Sequence, residues 1–162
     1  MKKIVVIDDE KDLCSLMKDI LENTGAYQVS LAHDGKTGEA LCLQEKPDLI
    51  FLDYVMPQEK GDQVVRFLKK YPETKSIPIV LMSGLGEMVY FQKKEQWKWL
   101  PNTPVVKERG DVPETLKWKR IPEEVAKEMG VAIYLAKPFS RAALLEVVGS
   151  IFKVDEKKEE EI

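Results

Sequence analysis

The sequence predicts an α/β protein built on a parallel sheet with helices on both faces. Three observations carry that prediction. Short apolar runs rich in β-branched residues recur along the chain, without the polar alternation of a half-exposed strand. Segments with the spacing of a one-faced helix lie between them. Strand and helix alternate five times, the pattern of parallel strands joined by right-handed helical crossovers.

The elements follow in order. Lys3, Ile4, Val5, Val6 and Ile7 form the first buried strand, which ends at Asp8, Asp9 and Glu10. Leu13, Leu16, Met17, Ile20 and Leu21 then make one apolar helical stripe, stopped by Gly25. Residues 27–32 read as the second strand, Asp34 and Gly35 as a turn, and 37–44 as a short helix. Pro47 precedes the third strand, 48–53, which ends on Asp53. Met56, Pro57 and Gly61 mark a loop, and Val64, Val65, Phe67 and Leu68 a third helix. The fourth strand runs from Pro78 to Ser83. Far downstream, 123–129 reads as a short helix capped by Gly130, and 131–136 as a fifth strand ending at Lys137, Pro138 and Phe139. Leu144, Leu145, Val148, Ile151 and Phe152 line the last helix.

Length and composition bound the function classes. The chain has 162 residues, one ordinary domain, and 44% of them are hydrophobic, which excludes a disordered chain. With 25 basic and 28 acidic residues, the net charge of -3 does not point to a nucleic-acid partner at the level of the whole chain. The apolar run after Met1 is too short for a signal peptide, and no run is long enough to cross a bilayer. The expected compartment is the cytoplasm. Cys14 and Cys42 lack metal-site spacing and sit in helical patterns, so buried reduced thiols are expected. His33 is the single histidine and reads as a surface residue.

In an open parallel sheet, function gathers at the carboxyl ends of the strands. Those ends carry Asp8, Asp9, Asp53, Ser83 and Lys137. Taken singly, an acid after a strand is an ordinary helix cap and a Lys-Pro pair an ordinary loop. Taken together, three carboxylates, a hydroxyl and an ammonium suit a hard cation such as Mg²⁺ and a transferring phosphoryl group. A carboxylate nucleophile there would form an acyl phosphate.

The motifs that carry these residues resemble the receiver domain of bacterial response regulators. They are Val5 to Glu10, the run from Pro47 to Pro57, Gly61, the run from Pro78 to Gly84, and Lys137-Pro138-Phe139. The resemblance implies a flavodoxin-like five-stranded sheet of order 2-1-3-4-5. It implies Asp53 as phosphoacceptor, receiving the group from a sensor histidine kinase or a phosphotransfer protein. It implies Mg²⁺ held directly by Asp9, Asp53 and the backbone carbonyl of Val55, with Asp8 acting through a metal-bound water. Lys137 would pair with the phosphoryl oxygens, Ser83 would hydrogen-bond them, and Tyr134 would be the aromatic that moves inward with Ser83. An apolar Val55 offers no hydrogen bond to an attacking water, so a long-lived phosphoryl group is expected.

The chain departs from the family between Ser83 and Lys137. Fifty-three residues, 84–136, separate them, where one helix and one strand would suffice. The excess lies at about 86–121, an insertion into a receiver domain of 1–153, with a charged tail at 154–162. All three tryptophans, Trp97, Trp99 and Trp118, fall in the insertion, whose eight basic and five acidic residues give it a net charge of +3. Residues 87–100 have helical character, and Val105-Val106 with 115–119 could form a hairpin. The aromatics read either as a small satellite core or as a partner-binding surface; aromatics among basic residues also leave single-stranded nucleic acid as a weaker reading.

The expected function is therefore a stand-alone phosphorylatable response regulator, signalling through contacts with a downstream protein. Its only chemistry would be Mg²⁺-dependent self-phosphorylation and self-dephosphorylation, and a phosphorylation-dependent homodimer stays open. Two rivals exist. An aspartyl-phosphate phosphohydrolase usually has a second Asp two residues after the nucleophile, where this chain has Val55. A phosphorylation-independent scaffold would have no need of the complete acidic set with Ser83 and Lys137. No output domain is expected to follow.

Overall fold

The computed structural model describes residues 1–59, 61–84, 118–120, 131 and 133–160, with the backbone alone described for 83–84, 118–120 and 154–160. Ten elements follow in order: β1 (Lys2–Ile7), α1 (Lys11–Glu22), β2 (Tyr27–Ala32), α2 (Gly35–Glu45), β3 (Leu49–Asp53), α3 (Gly61–Lys69), β4 (Ile79–Gly84), β5 (Trp118–Arg120), β6 (Ile133–Lys137) and α4 (Arg141–Glu160). The sheet order is β2-β1-β3-β4-β6-β5. Its first five members are all parallel, in the order expected, with β6 as the fifth parallel strand.

Strand structure at 115–119 was expected in a hairpin, but not as a sixth strand of the main sheet. β5 pairs antiparallel with β6, setting Trp118 opposite Leu135, Lys119 opposite Tyr134 and Arg120 opposite Ile133. Among the described residues its partner is β6; Val105 and Val106 lie outside the described residues, as do the expected helices at 87–100 and 123–129 and the tryptophans Trp97 and Trp99. With β4 on one side and β5 on the other, β6 is an interior strand, and among the described residues the outermost strand on that side is β5, of three residues. A very short edge offers little template for unwanted pairing.

Continuous apolar strands arise because both faces are covered. Successive side chains point to opposite faces. Ile4, Val6, Leu49 and Phe51 pack with Cys14, Met17 and Leu21 of α1 and with Leu144, Val147, Val148 and Ile151 of α4. Val5, Ile7, Ile50 and Leu52 pack with Cys42 of α2 and Val64, Val65 and Leu68 of α3. Each fully buried aliphatic side chain contributes roughly 1.5–3 kcal/mol relative to exposure. α2 lies close to the sheet: a Cβ on Gly38 would fall within 2.6–2.8 Å of Ile7 side-chain carbons, so glycine is what allows that approach.

Two local expectations need correction. Leu16 does not join the α1 stripe and is 55% exposed, because Cys14, Met17 and Leu21 already fill the buried arc and position 16 rotates past it. His33 is not a free surface residue. It is half-buried, and its Nδ1 lies 3.2 Å from the Asp8 carbonyl oxygen. α1 stops at Glu22, and Gly25 lies past its end with a φ of 76°, as a glycine stop requires. Both cysteines are free and buried. The backbone of α4 stays helical to Glu160, through much of the charged tail. No described helix is long and apolar enough to cross a membrane.

Candidate functional site

Parallel strands end together, and that brings the chain-distant acids into one cleft. β1 delivers Asp8, whose backbone N–H still bonds to Ala32 of β2 at 3.0 Å. β3 delivers Asp53, opposite Met82 of β4. β6 delivers Lys137, opposite Gly84, and Ser83 stands beside Ala136 in the same ladder. The Lys137–Pro138 peptide bond is cis.

Carboxylate oxygens of Asp8, Asp9 and Asp53 all lie within 4.8 Å of one another. Asp8 is wholly buried, Asp53 is 4% exposed and Asp9 is exposed. Lys137 Nζ lies 2.6 Å from Asp8 Oδ2, 3.4 Å from Asp53 Oδ1 and 3.8 Å from Glu10 Oε2. The site therefore packs several negative charges around one cation.

Asp8 is held from several sides. Its Oδ1 accepts from the Glu10 backbone N–H at 2.9 Å, and its carbonyl accepts from Cys14 Sγ at 3.2 Å. Asp8 Oδ2 is buried and has no aligned hydrogen-bond donor, so its contact with Lys137 is one of charge. Burial, and next the Asp8 charge, push the Asp53 carboxyl up to about 7, against the opposing pull of Lys137. Burial works against the Lys137 charge, but Asp8 and Asp53 outweigh it and hold the ammonium above its ordinary range. Burial and the same acids push the Cys14 thiol up to about 12, which removes it as a nucleophile.

The loop after Asp53 is shaped by close backbone contacts. Tyr54 N–H bonds to Met82 O at 2.9 Å and Gly61 N–H to Tyr54 O at 2.7 Å. A Cβ at Gly61 would lie 2.8 Å from Tyr54 Cα and 2.9 Å from Asp53 O, so only glycine fits. Val55, on that loop, is 47% exposed, beside a buried Met56.

The acidic set has the chemistry of a hard-cation site. Every donor is a carboxylate oxygen, and two of the carboxylates are buried. A small divalent ion would relieve the mutual repulsion. Of the residues expected from sequence, Asp8, Asp9, Asp53 and Lys137 converge here. Tyr134 is buried in the core on the α2/α3 side, three residues before Lys137. Of Ser83 the structure gives the backbone place, and of Trp118 the strand position. Sequence reasoning missed Glu10, His33 and Cys14 as neighbours. Glu10 was visible in the acidic triplet, whereas the other two reach Asp8 only through the packing of α1 and the β2–α2 turn.

Comparison with known proteins agrees with this geometry. Residues 4–97 match the family model described as the response regulator receiver domain. The chain is 39% identical over 83 residues to Protein PilH of Pseudomonas aeruginosa, which covers 51% of this chain and 68% of that one. It is 38% identical over 88 residues to the DNA-binding dual master transcriptional regulator RpaA of Synechocystis, covering 54% of this chain and 36% of that protein. The chain thus spans about a third of the length of such transcriptional relatives. Among solved structures, the chemotaxis protein CheY4 of Vibrio cholerae superposes with a TM-score of 0.65 at 20% identity, covering 93% of this chain and 98% of that one. The receiver domain of the sensor histidine kinase PA1611 of P. aeruginosa, solved with a magnesium ion in its active-site cleft, gives 0.64 at 19% identity, covering 92% and 95%. At these identities the structural likeness shows the fold.

Proposed function

The chain belongs to the response regulator receiver family, and from that premise we propose that it carries signal as a phosphoryl group on Asp53. The observation that supports this most is the cleft itself: a nearly buried Asp53 within 4.8 Å of two further aspartates and 3.4 Å from Lys137 Nζ. The donor is a phosphohistidine on a sensor histidine kinase or phosphotransfer protein. An Asp53 oxygen attacks phosphorus, the P–N bond breaks, and the imidazole leaves. Hydrolysis of the acyl phosphate later returns the carboxylate and inorganic phosphate.

Each residue has a stated part. Asp53 must be ionised to attack, and Lys137 favours that form. Asp8, Asp9, Asp53 and the Val55 carbonyl would hold Mg²⁺, which supplies neutralising charge for the phosphoryl oxygens. Lys137 would exchange its aspartate contacts for phosphoryl oxygens, and Ser83 would donate to them. Tyr134 answers the movement of Ser83. Phosphorylation adds about two negative charges in this confined cleft, enough to bias a two-state element.

Output runs through protein contact. The domain spans 1–153 with its insertion at about 86–121, and the insertion's Trp118 joins the sheet directly on the strand that bears Tyr134 and Lys137. Trp97, Trp99 and Trp118 are the candidate partner-binding residues. The protein acts in the cytoplasm, without a membrane or nucleic-acid partner, and a second phosphorylated copy is a candidate partner. It turns over no external metabolite.

Incubation with acetyl phosphate and Mg²⁺, followed by intact-mass analysis, tests this. The expected result is a stoichiometric phosphoryl adduct on the wild type and none on Asp53→Asn. No adduct, or the same adduct on Asp53→Asn, overturns the proposal.

A further inference from the structure

A second pair of acids sits apart from the cleft. Glu39 of α2 is 3% exposed, one of few buried charged residues in the core. Glu59, on the loop leaving Asp53, reaches back to the same Lys36 ammonium of α2. Gly35 makes room, since a Cβ there would occupy the place of Glu59 Oε2. Lys36 Nζ lies 3.3 Å from Glu39 Oε2 and 3.5 Å from Glu59 Oε1. The remaining oxygens, Glu39 Oε1 and Glu59 Oε2, are both buried, and neither has a donor.

Two acceptors cannot hydrogen-bond without a proton between them. A buried oxygen left unsatisfied is destabilising, and more so when it is charged. Asp34 is engaged by Thr37 N and Oγ1, both at 2.8 Å. Arg66 of α3 is engaged by Asp62 Oδ2 at 2.6 Å, leaving Asp62 Oδ1 buried without a donor. Cys42, one turn along α2, is a buried thiol pushed up to about 12 by its burial and by nearby acids. Lys36 is 78% exposed and already spans the outer oxygens.

We propose that Glu39 is held as a neutral carboxyl that donates to Glu59, so that a single proton fastens the β3–α3 loop to α2. Burial raises Glu39's proton affinity, Lys36 opposes it, and the Glu59 charge adds to it. An open pocket of about 310 Å³, lined by Asp34, Gly35, Lys36, Gln58, Glu59 and Gln63, lets protons exchange with solvent. As pH rises through the Glu39 midpoint, Glu39 ionises beside the Glu59 carboxylate, the two repel, and the loop is released. The latch stands apart from the metal reading of the cleft and does not depend on it.

Carboxyl ¹³C NMR titration of the full chain, with thermal melts, tests the latch in wild type, Glu39→Gln and Glu59→Gln. Glu39 is expected to titrate well above the ordinary value of about 4.3, and Glu59→Gln to move its midpoint down. The side-chain amide introduced by Glu39→Gln keeps a donor toward Glu59 at every pH. Wild-type Tm should therefore fall relative to Glu39→Gln by roughly 2–4 °C as pH rises through that midpoint. A Glu39 midpoint in the ordinary range, an unchanged midpoint in Glu59→Gln, or parallel melting curves for wild type and Glu39→Gln would overturn the latch.

Discussion

Lys137 Nζ lies 2.6 Å from Asp8 Oδ2, closer than to the Asp53 carboxylate that it is proposed to serve. In the resting protein its foremost task is thus to neutralise a wholly buried acid. Removing one partner of a buried pair typically costs about 3–5 kcal/mol, because the other charge is stranded. Lys137→Met should therefore lower metal-free stability by an amount of that order, and added Mg²⁺ should recover part of it. Urea unfolding with and without Mg²⁺ is the measurement. A wild-type midpoint in the metal-free variant would remove Lys137 from this role.

The Asp53 carboxyl, pushed up to about 7 chiefly by burial, makes both stability and metal affinity depend on pH. The unfolded chain has the ordinary value of about 3.9. The folded state thus favours the protonated acid. That contribution is fully present below the unfolded value and is lost as pH rises through about 7. Metal-free wild type should lose stability progressively from roughly pH 4, the ordinary carboxyl value, up to about 7, and level off above it, while Asp53→Asn should not show this component. A cation competes with the proton, so calorimetric Mg²⁺ affinity should rise over the same interval. Affinity that is flat with pH would contradict it.

Gly61→Ala should disturb the cleft from a distance. The added methyl would meet backbone at 2.8–2.9 Å, and backbone cannot swing aside as a side chain can. Overpacking of this kind costs about 1–3 kcal/mol. The displaced residues are Tyr54 and the chain beside Asp53, so the rate of phosphorylation by acetyl phosphate should drop along with the denaturation midpoint. Loss of stability at a wild-type rate would show that the loop does not position the acceptor.

How far the sequence speaks depends on the distance over which each interaction acts. The buried strands were legible because covering both sheet faces demands unbroken runs such as Ile4 to Ile7 and Leu49 to Leu52. The cleft acids were legible because parallel strands must end at a common edge. Leu16 was misplaced because the helical stripe is wider in periodicity than the arc α1 buries. His33 was misread because its partner is a backbone carbonyl, which no residue name reveals. The Glu39–Glu59 pair and the pairing of β5 with β6 were invisible for one reason: each depends on how far apart two segments come to rest. Spacing along the chain carries no record of that.

The register of β4, β5 and β6 has a consequence for how this chain could have been built. Gly84 stands opposite Lys137, and Trp118 opposite Leu135. The extra segment therefore leaves and rejoins the sheet at nearly the same level, on the two flanks of one strand. Such neighbouring posts accept cargo of very different lengths, because doubling a flexible loop adds only about 0.6 kcal/mol of closure cost. A graft of foreign sequence between those posts would sit, at both its ends, beside the cleft.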